Sequence, residues 1–272
     1  MLNIIKKSPS NTKATVLSSE KIYRMGFDFH GGKSQETVNS NRLRKKFLER
    51  LSSEVLDYDV TILLFFRRVD DFAESLYKEQ AFRTRYEGVY GFQDFLDEQS
   101  VLFDYTARIK EFRSFFKDVK IISYRDANNI GLVNSFCESI GTPMPPNNLV
   151  FKKTRVSPSN IAALVMAELA KKQEVPYKLR RWLLDFSLSN GWPEPKKNVK
   201  RSLWPTPESH AAFIRRYQCD ELSSFFDPVN WEALEHMPLS NAEIESYICA
   251  IEKAGGLDPE LLQMKFNIKN IF

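Results

Sequence analysis

Residues 59–77, DVTILLFFRRVDDFAESLY, predict a buried strand that turns directly into a helix at two arginines. Val60 to Phe66 is an apolar run without alternation, as expected of a strand covered on both faces. Asp70 and Asp71 then supply N-cap chemistry for the helix. The arginines therefore mark the carboxyl end of a strand, where ligands bind in open α/β sheets. The apolar face of the helix is expected to contain Phe72, Leu76 and the aliphatic stem of Glu79.

Arg67 and Ser75 can form two sides of one phosphate site at this strand end. The planar fork of an arginine matches phosphate oxygens, and a serine early in the helix adds a hydroxyl beside the positive end of the helix dipole. A purely structural interpretation is equally open, because both Arg67 and Arg68 have acids nearby with which to pair. Those acids are Asp70, Asp71 and Glu74.

The segment resembles bacterial sulfotransferases of the carbohydrate-modifying type, which use the donor PAPS (3′-phosphoadenosine 5′-phosphosulfate). In that family an Arg ending a strand and a Ser eight positions later hold the 3′-phosphate, so the resemblance assigns this role to Arg67 and Ser75. It implies a P-loop-NTPase-like parallel sheet, PAPS as cofactor, and transfer to a hydroxyl of a carbohydrate or related acceptor. The other similar segments are VLSSE (16–20), FDYTARIKEFRSFF (103–116), IISYRDANN (121–129), RVSPSNIAALVMAEL (155–169) and PESHAAFIRRYQCDELSSFF (207–226).

The beginning of the chain departs from that family. Such enzymes open with a strand and a loop, typically Lys-Thr-Gly-Thr-Thr, that binds the 5′-phosphosulfate. This chain opens with MLNIIKKSPSNTKATVLSSE, which leads directly to what resembles the family's second strand. The segment most similar to that phosphosulfate-binding loop is HGGKSQ (30–35), which contains Lys33. A flexible loop is favoured there because no buried strand precedes it.

Two hypotheses follow from this departure. The chain is a sulfotransferase that is N-terminally truncated or degenerate, or it is a non-catalytic remnant that binds PAP-like nucleotides or a protein partner. A less favoured third reading is an unrelated glycan-pathway protein whose Arg-Ser pair is structural. Sulfuryl transfer needs a base for the acceptor proton. By the resemblance Glu20 is the candidate base, and a structural role for this carboxylate is equally open.

Composition favours a cytoplasmic globular protein. With 272 residues and 43% hydrophobic content, we expect a single domain, with an α/β part at 1–141 and a mainly helical part at 142–272 packed on it. The three cysteines and three histidines are scattered, so neither a disulfide framework nor a metal site is expected. No apolar run suggests a signal peptide or a bilayer span. The net charge of +4 suits an anionic cofactor or acidic glycan without requiring nucleic acid.

The front half alternates strands and helices, which predicts a parallel sheet. Three strands are evident, so a first strand is expected to be missing, and exposed sheet edges would permit self-association. In the basic cluster 41–50 we expect a helix with a solvated charged face rather than an RNA-binding patch. The second basic cluster, 196–201, is expected to be a surface loop. The predicted apolar stripe of the first cluster contains Leu43, Phe47, Leu48 and Leu51. The expected strands are 15–18, 59–66 and 120–124, and the expected helices are 37–56, 70–84, 105–116, 128–140, a helix capped by Ser157, 177–188, 207–217, 220–226 and 241–254.

Overall fold

A computed structural model describes residues 34–82, 91–124, 131–143, 158–172, 180, 181, 183–185, 200–226, 229–231, 234, 235, 240 and 242. The predicted strand 15–18, the helix 241–254 apart from residue 242, and the residues Glu20 and Lys33 lie outside them. The described elements are α1 (Ser34–Glu54), β1 (Thr61–Phe66), α2 (Val69–Ala81), α3 (Phe92–Glu98), α4 (Ser100–Phe103), α5 (Tyr105–Phe115), β2 (Asp118–Ser123), α6 (Leu132–Ser139), α7 (Asn160–Lys172), β3 (Lys200–Arg201), α8 (Pro207–Arg216), a 3₁₀ helix (Asp220–Phe225) and β4 (Leu234–Glu235).

The described residues fall into two compact units. The first draws its residues from Met1–Arg67, Glu98–Pro146 and Cys219–Phe226, and the second from Arg68–Asp97, Asn147–Gln218 and Asp227–Phe272. The chain is thus α/β, with a two-stranded parallel sheet of β1 and β2 flanked by helices. The boundary between the units falls between the two arginines of the strand-to-helix turn.

The sheet of the first unit is a continuous parallel pairing of β1 with β2. The register runs from Thr61 opposite Asp118 to Phe66 opposite Ser123. Of the three strands expected in the front half, the two that the structure describes are therefore confirmed, and they pair directly. Because the strands are parallel and in register, their carboxyl ends lie side by side.

Helix α1 packs against α5 through a face that differs from the predicted stripe. Leu48 is fully buried as expected, but Leu43 is 58% exposed. Arg44 is buried instead, and its guanidinium donates to the Glu111 carboxylate of α5 at 2.8 Å. Arg108 of α5 donates to the same carboxylate, so a shared acid compensates two buried cations. The face of α1 that packs against α5 is therefore rotated, relative to the predicted apolar stripe, toward Arg44.

Helix α2 also buries an unexpected face. Its N-cap is Arg68 without a side-chain hydrogen bond, so the predicted capping role of Asp70 and Asp71 is wrong. Of the expected apolar face only Leu76 is buried, whereas Phe72 and Glu79 are half-buried. The buried face carries Val69, Asp70, Ala73, Glu74, Leu76, Tyr77, Gln80 and Ala81.

The later helices begin at side-chain caps. The Ser159 hydroxyl accepts from the Ala162 amide at the start of α7, whereas the predicted cap Ser157 lies outside the described residues. Thr206 caps α8 in a capping box followed by Pro207. Gly141, just after α6, has φ of +66°, which confirms it as the helix-terminating glycine.

The predicted basic loop 196–201 contains a short strand. Lys200 and Arg201 pair in parallel with Leu234 and Glu235, so this part of the mainly helical half also contains a small β3–β4 pairing. The prediction of a loop is therefore wrong at its last two residues.

Substitution on the two faces of α1 tests its orientation. We expect Leu48→Ala to lower the free energy of unfolding by about 2–5 kcal/mol, because a fully buried leucine leaves a cavity. Leu43→Ala is the matched control on the same helix, and it should change stability by about 0.5 kcal/mol or less. Urea unfolding followed by circular dichroism measures both variants, and equal losses would contradict the observed rotation of α1.

Candidate functional site

Arg67 lies at the carboxyl end of the parallel strand pair. It is the first residue after β1, and Tyr124 is the first residue after β2, one step beyond the paired Phe66 and Ser123. The Arg67 guanidinium lies over the Tyr124 ring, 4.0 Å from its centroid. Both side chains are half-buried. The register of the strands therefore creates an arginine oriented by cation–π stacking at the edge where α/β proteins bind ligands.

The neighbouring Arg68 has a different environment. Its Nε donates to Asp70 Oδ1 at 2.6 Å and its Nη2 donates to Asp70 Oδ2 at 2.8 Å, which makes a bidentate ion pair. Asp71 lies 3.6 Å from the same guanidinium. The structural interpretation of the tandem arginines is thus correct for Arg68, which is fixed by acids of α2. Arg67 lies over the Tyr124 ring, as described above.

Ser75 lies in the middle of α2. It is the seventh of the 13 residues of this helix and is half-buried. Since the helix-dipole effect falls off within the first turn, the expected assistance from the dipole does not apply at Ser75. What Ser75 can offer an anion is its hydroxyl alone. Arg67 belongs to the first compact unit and Ser75 to the second.

Two carboxylates of α2 are buried one turn apart, and this cluster was not expected from the sequence. Asp70 and Glu74 are 2% and 6% exposed. Glu74 Oε2 accepts from the Asn160 side-chain amide at 3.1 Å, and Glu74 Oε1 accepts from the Trp204 indole N–H at 3.1 Å. Asp70 Oδ2 lies 2.8 Å from His210 Nε2. Partners from α7, α8 and the segment before α8 therefore satisfy the acids of one helix.

His210 is enclosed by aromatic rings. It is 1% exposed and stacks on the indole of Trp204 at 4.4 Å with an interplanar angle of 2°. Trp231 approaches the His210 ring edge-on at 5.0 Å. The Trp204 ring also contacts Phe92 edge-on, with 4.9 Å between centroids. One aromatic cluster thus holds the imidazole rigidly beside Asp70.

The partners of Asp70 outweigh the effect of its burial on its pKa. Burial alone would raise the pKa of the Asp70 carboxyl, but hydrogen bonds from His210 and Arg68, with the charge of Arg68, lower it below its ordinary value. Asp70 is therefore ionised at neutral pH and accepts hydrogen bonds only. An ionised carboxylate has no proton to donate, so His210 Nε2–H donates the hydrogen bond to Asp70 Oδ2.

The chemistry available to this cluster is structural. An Asp–His pair can orient a general base, but a base must reach the proton that it removes. At 1% exposure the His210 ring does not meet that requirement. The Asp70–His210 pair joins α8 to α2. Asp70 also fixes Arg68, the residue that directly follows Arg67 in the chain.

The sequence contained one usable signal for this cluster. Asp70 and Glu74 are four residues apart and lie on the same helix face as Ala73 and Tyr77, which marks two acids on a buried stripe. Nothing in the sequence indicated His210, Trp204 or Tyr124 as partners, because they are distant along the chain. The described residues include no group of three or more His, Cys, Asp or Glu suited to a metal ion. Within the same residues, no helix is both long enough and apolar enough to cross a bilayer.

Removing the buried charge of α2 tests the network. We expect Asp70→Asn to lower the free energy of unfolding by about 3 kcal/mol at neutral pH, because it breaks a buried pair and leaves partners uncompensated. Asp71→Asn is the matched control: Asp71 is 57% exposed and faces the same Arg68, and we expect a loss of about 0.5 kcal/mol.

The difference in free energy of unfolding between wild type and Asp70→Asn should change with pH in one direction. A carboxyl whose pKa is lower in the folded protein stabilises the fold above its unfolded pKa, near 3.8 for Asp70. The difference in free energy of unfolding between wild type and Asp70→Asn should therefore become smaller as the pH falls below that value toward the folded pKa. Urea unfolding at a series of pH values measures it, and a gap that widens on acidification would contradict the assignment.

The comparisons with known proteins give no relative for this chain: no protein-family model matches it, and neither a curated protein nor a solved structure is significantly similar to it.

Proposed function

We propose that this chain is a relative of the PAPS-dependent sulfotransferases and that Arg67 and Ser75 bind the 3′-phosphate of PAPS or of its product PAP. The observation that carries the proposal is the position of Arg67, directly after the in-register end of a parallel strand pair. The proposal includes a P-loop-like fold and a cytoplasmic location. The acceptor would be a hydroxyl of a carbohydrate or a related molecule.

The stacking of Arg67 on Tyr124 supports a role in anion binding. A guanidinium directs its N–H donors within its own plane, and the ring contacts its face. Stacking therefore orients the donors without using them as hydrogen-bond donors to the ring. An arginine held in this way loses less conformational entropy when it binds phosphate.

The ion pair of Arg68 supports the same assignment. Arg68 presents two of its nitrogens to Asp70, so the proposal gives Arg68 a structural role. Arg68 anchors the first turn of α2, and Arg67, the residue before it, is the phosphate ligand in the proposal. Such an anchor matters because a binding group needs a rigid support to reach its productive geometry.

The proposed reaction uses a base and a leaving nucleotide. The acceptor oxygen attacks sulfur and forms a new S–O bond, while the bond from sulfur to the phosphate oxygen of PAPS breaks. PAP leaves with the electron pair of that bond, and Glu20 takes the proton of the acceptor hydroxyl. The alternative, a non-catalytic remnant, shares the nucleotide site and lacks the transfer step.

Calorimetric titration with PAP tests the nucleotide site. We expect wild-type chain to bind PAP and Arg67→Ala to lose roughly 1.5–3 kcal/mol of binding free energy, the typical value of a charge-assisted contact. Ser75→Ala should lose about 1 kcal/mol, as for a neutral hydroxyl.

Arg50→Ala is the matched control for Arg67→Ala, since it removes the same charge from an exposed position of the same compact unit. Its affinity for PAP should equal that of the wild type. Equal affinities of wild type and Arg67→Ala would remove the basis of the proposed site.

The role of Glu20 separates the enzyme from the remnant. If Glu20 is the base, Glu20→Gln should keep the PAP affinity and reduce labelled-sulfate transfer from PAPS by about a hundredfold or more. Turnover in this variant equal to wild type would reassign Glu20 to structure. PAP binding without transfer in the wild type would favour the remnant.

A further inference from the structure

The outward face of α1 carries a dense positive charge. Between residues 41 and 50, four basic side chains and one acidic side chain are exposed, in addition to Leu43. None of the basic ones forms an ion pair or hydrogen bond with another side chain in the part of the chain that the structure describes. The exposed charged residues are Arg42, Lys45, Lys46, Glu49 and Arg50.

Three of these cations form a straight row. Arg42, Lys46 and Arg50 are spaced at four-residue intervals, so they lie on one side of the helix over an axial length of about 12 Å. The opposite side of α1 is held by Leu48 and Arg44 against the rest of its unit. The row therefore points away from the packed face, and a flat anionic surface can contact all three cations together.

Leu43 distinguishes between possible anionic partners. It lies beside this row, three residues before Lys46, and 58% of it is exposed to water. A hydrophilic polyanion offers no apolar environment for a leucine. The headgroup boundary of a bilayer offers both anionic groups for the basic row and hydrocarbon for the leucine.

We propose that the outward face of α1, defined by Arg42, Leu43, Lys46 and Arg50, binds the surface of membranes that contain anionic lipids. The contact is peripheral and reversible: the basic row meets the lipid phosphates, and Leu43 enters the interface. This surface is independent of the nucleotide site proposed above.

Co-sedimentation of the full chain with vesicles tests the proposal. The probes are phosphatidylcholine vesicles with and without phosphatidylglycerol. We expect binding to the anionic vesicles only, weakened by added salt. The triple variant Arg42→Ala, Lys46→Ala, Arg50→Ala should bind at least about tenfold more weakly. If it fails to fold by circular dichroism, Lys46→Ala alone should bind about fivefold more weakly.

The matched control removes three exposed basic residues elsewhere, with Lys110→Ala, Lys117→Ala and Arg215→Ala combined. It has the same net charge as the triple variant and should retain binding within about twofold, because surface attraction is short-ranged in salt. A control that loses as much affinity as the triple variant would overturn the proposal, as would a failure of wild type to bind anionic vesicles.

Leu43→Ser tests the choice of a lipid partner over soluble polyanions. We expect it to bind anionic vesicles about fivefold more weakly, while its retention of dextran sulfate or single-stranded DNA stays equal to wild type. Vesicle binding equal to wild type would show that the face responds to charge alone and would overturn the lipid assignment.

Discussion

The burial of Asp70 and Glu74 on one face of α2 is the constraint on which the second unit depends. A carboxylate taken out of water is tolerated only when charged or polar partners replace its hydration. Here the partners are contributed by Asn160, Trp204 and His210, together with the adjacent Arg68. Each partner fixes where its own segment can pack, so the acids of one helix specify the placement of the segments around it.

In the first unit the buried charges are cations, and an acid compensates them. Arg44 of α1 and Arg108 of α5 are both 3% exposed, and the Glu111 carboxylate accepts hydrogen bonds from both. Directional hydrogen bonds restrict how two helices can rotate against each other more strictly than apolar contacts do. This explains why α1 exposes Leu43, a residue that an apolar pattern alone would place inside.

Both surfaces for which we propose functions contain a cation close in sequence to an arginine that an acid holds. Asp70 holds Arg68 at the start of α2, and Arg67 is oriented by Tyr124 at the end of the parallel strands. The rotation of α1 set by Arg44 turns Leu43 and the basic row of Arg42, Lys46 and Arg50 to the outside. Buried charge pairs thus hold Arg44 and Arg108 inside, while Arg42, Lys46 and Arg50 are exposed.

The sequence alone was enough to predict many local elements, because apolar runs and helical spacing act over a few positions. It predicted the strand ending before Arg67, the helix after it, the helix of α5 and the glycine that terminates α6. When acids or arginines lie on a helix, the face that is buried depends on contacts formed in the folded chain. Asp70 and His210 are 140 residues apart in the chain, and Arg44 and Glu111 are 67 apart. No local pattern encodes such a pairing, since the partner that pays the desolvation cost of a charge is selected only when the chain folds.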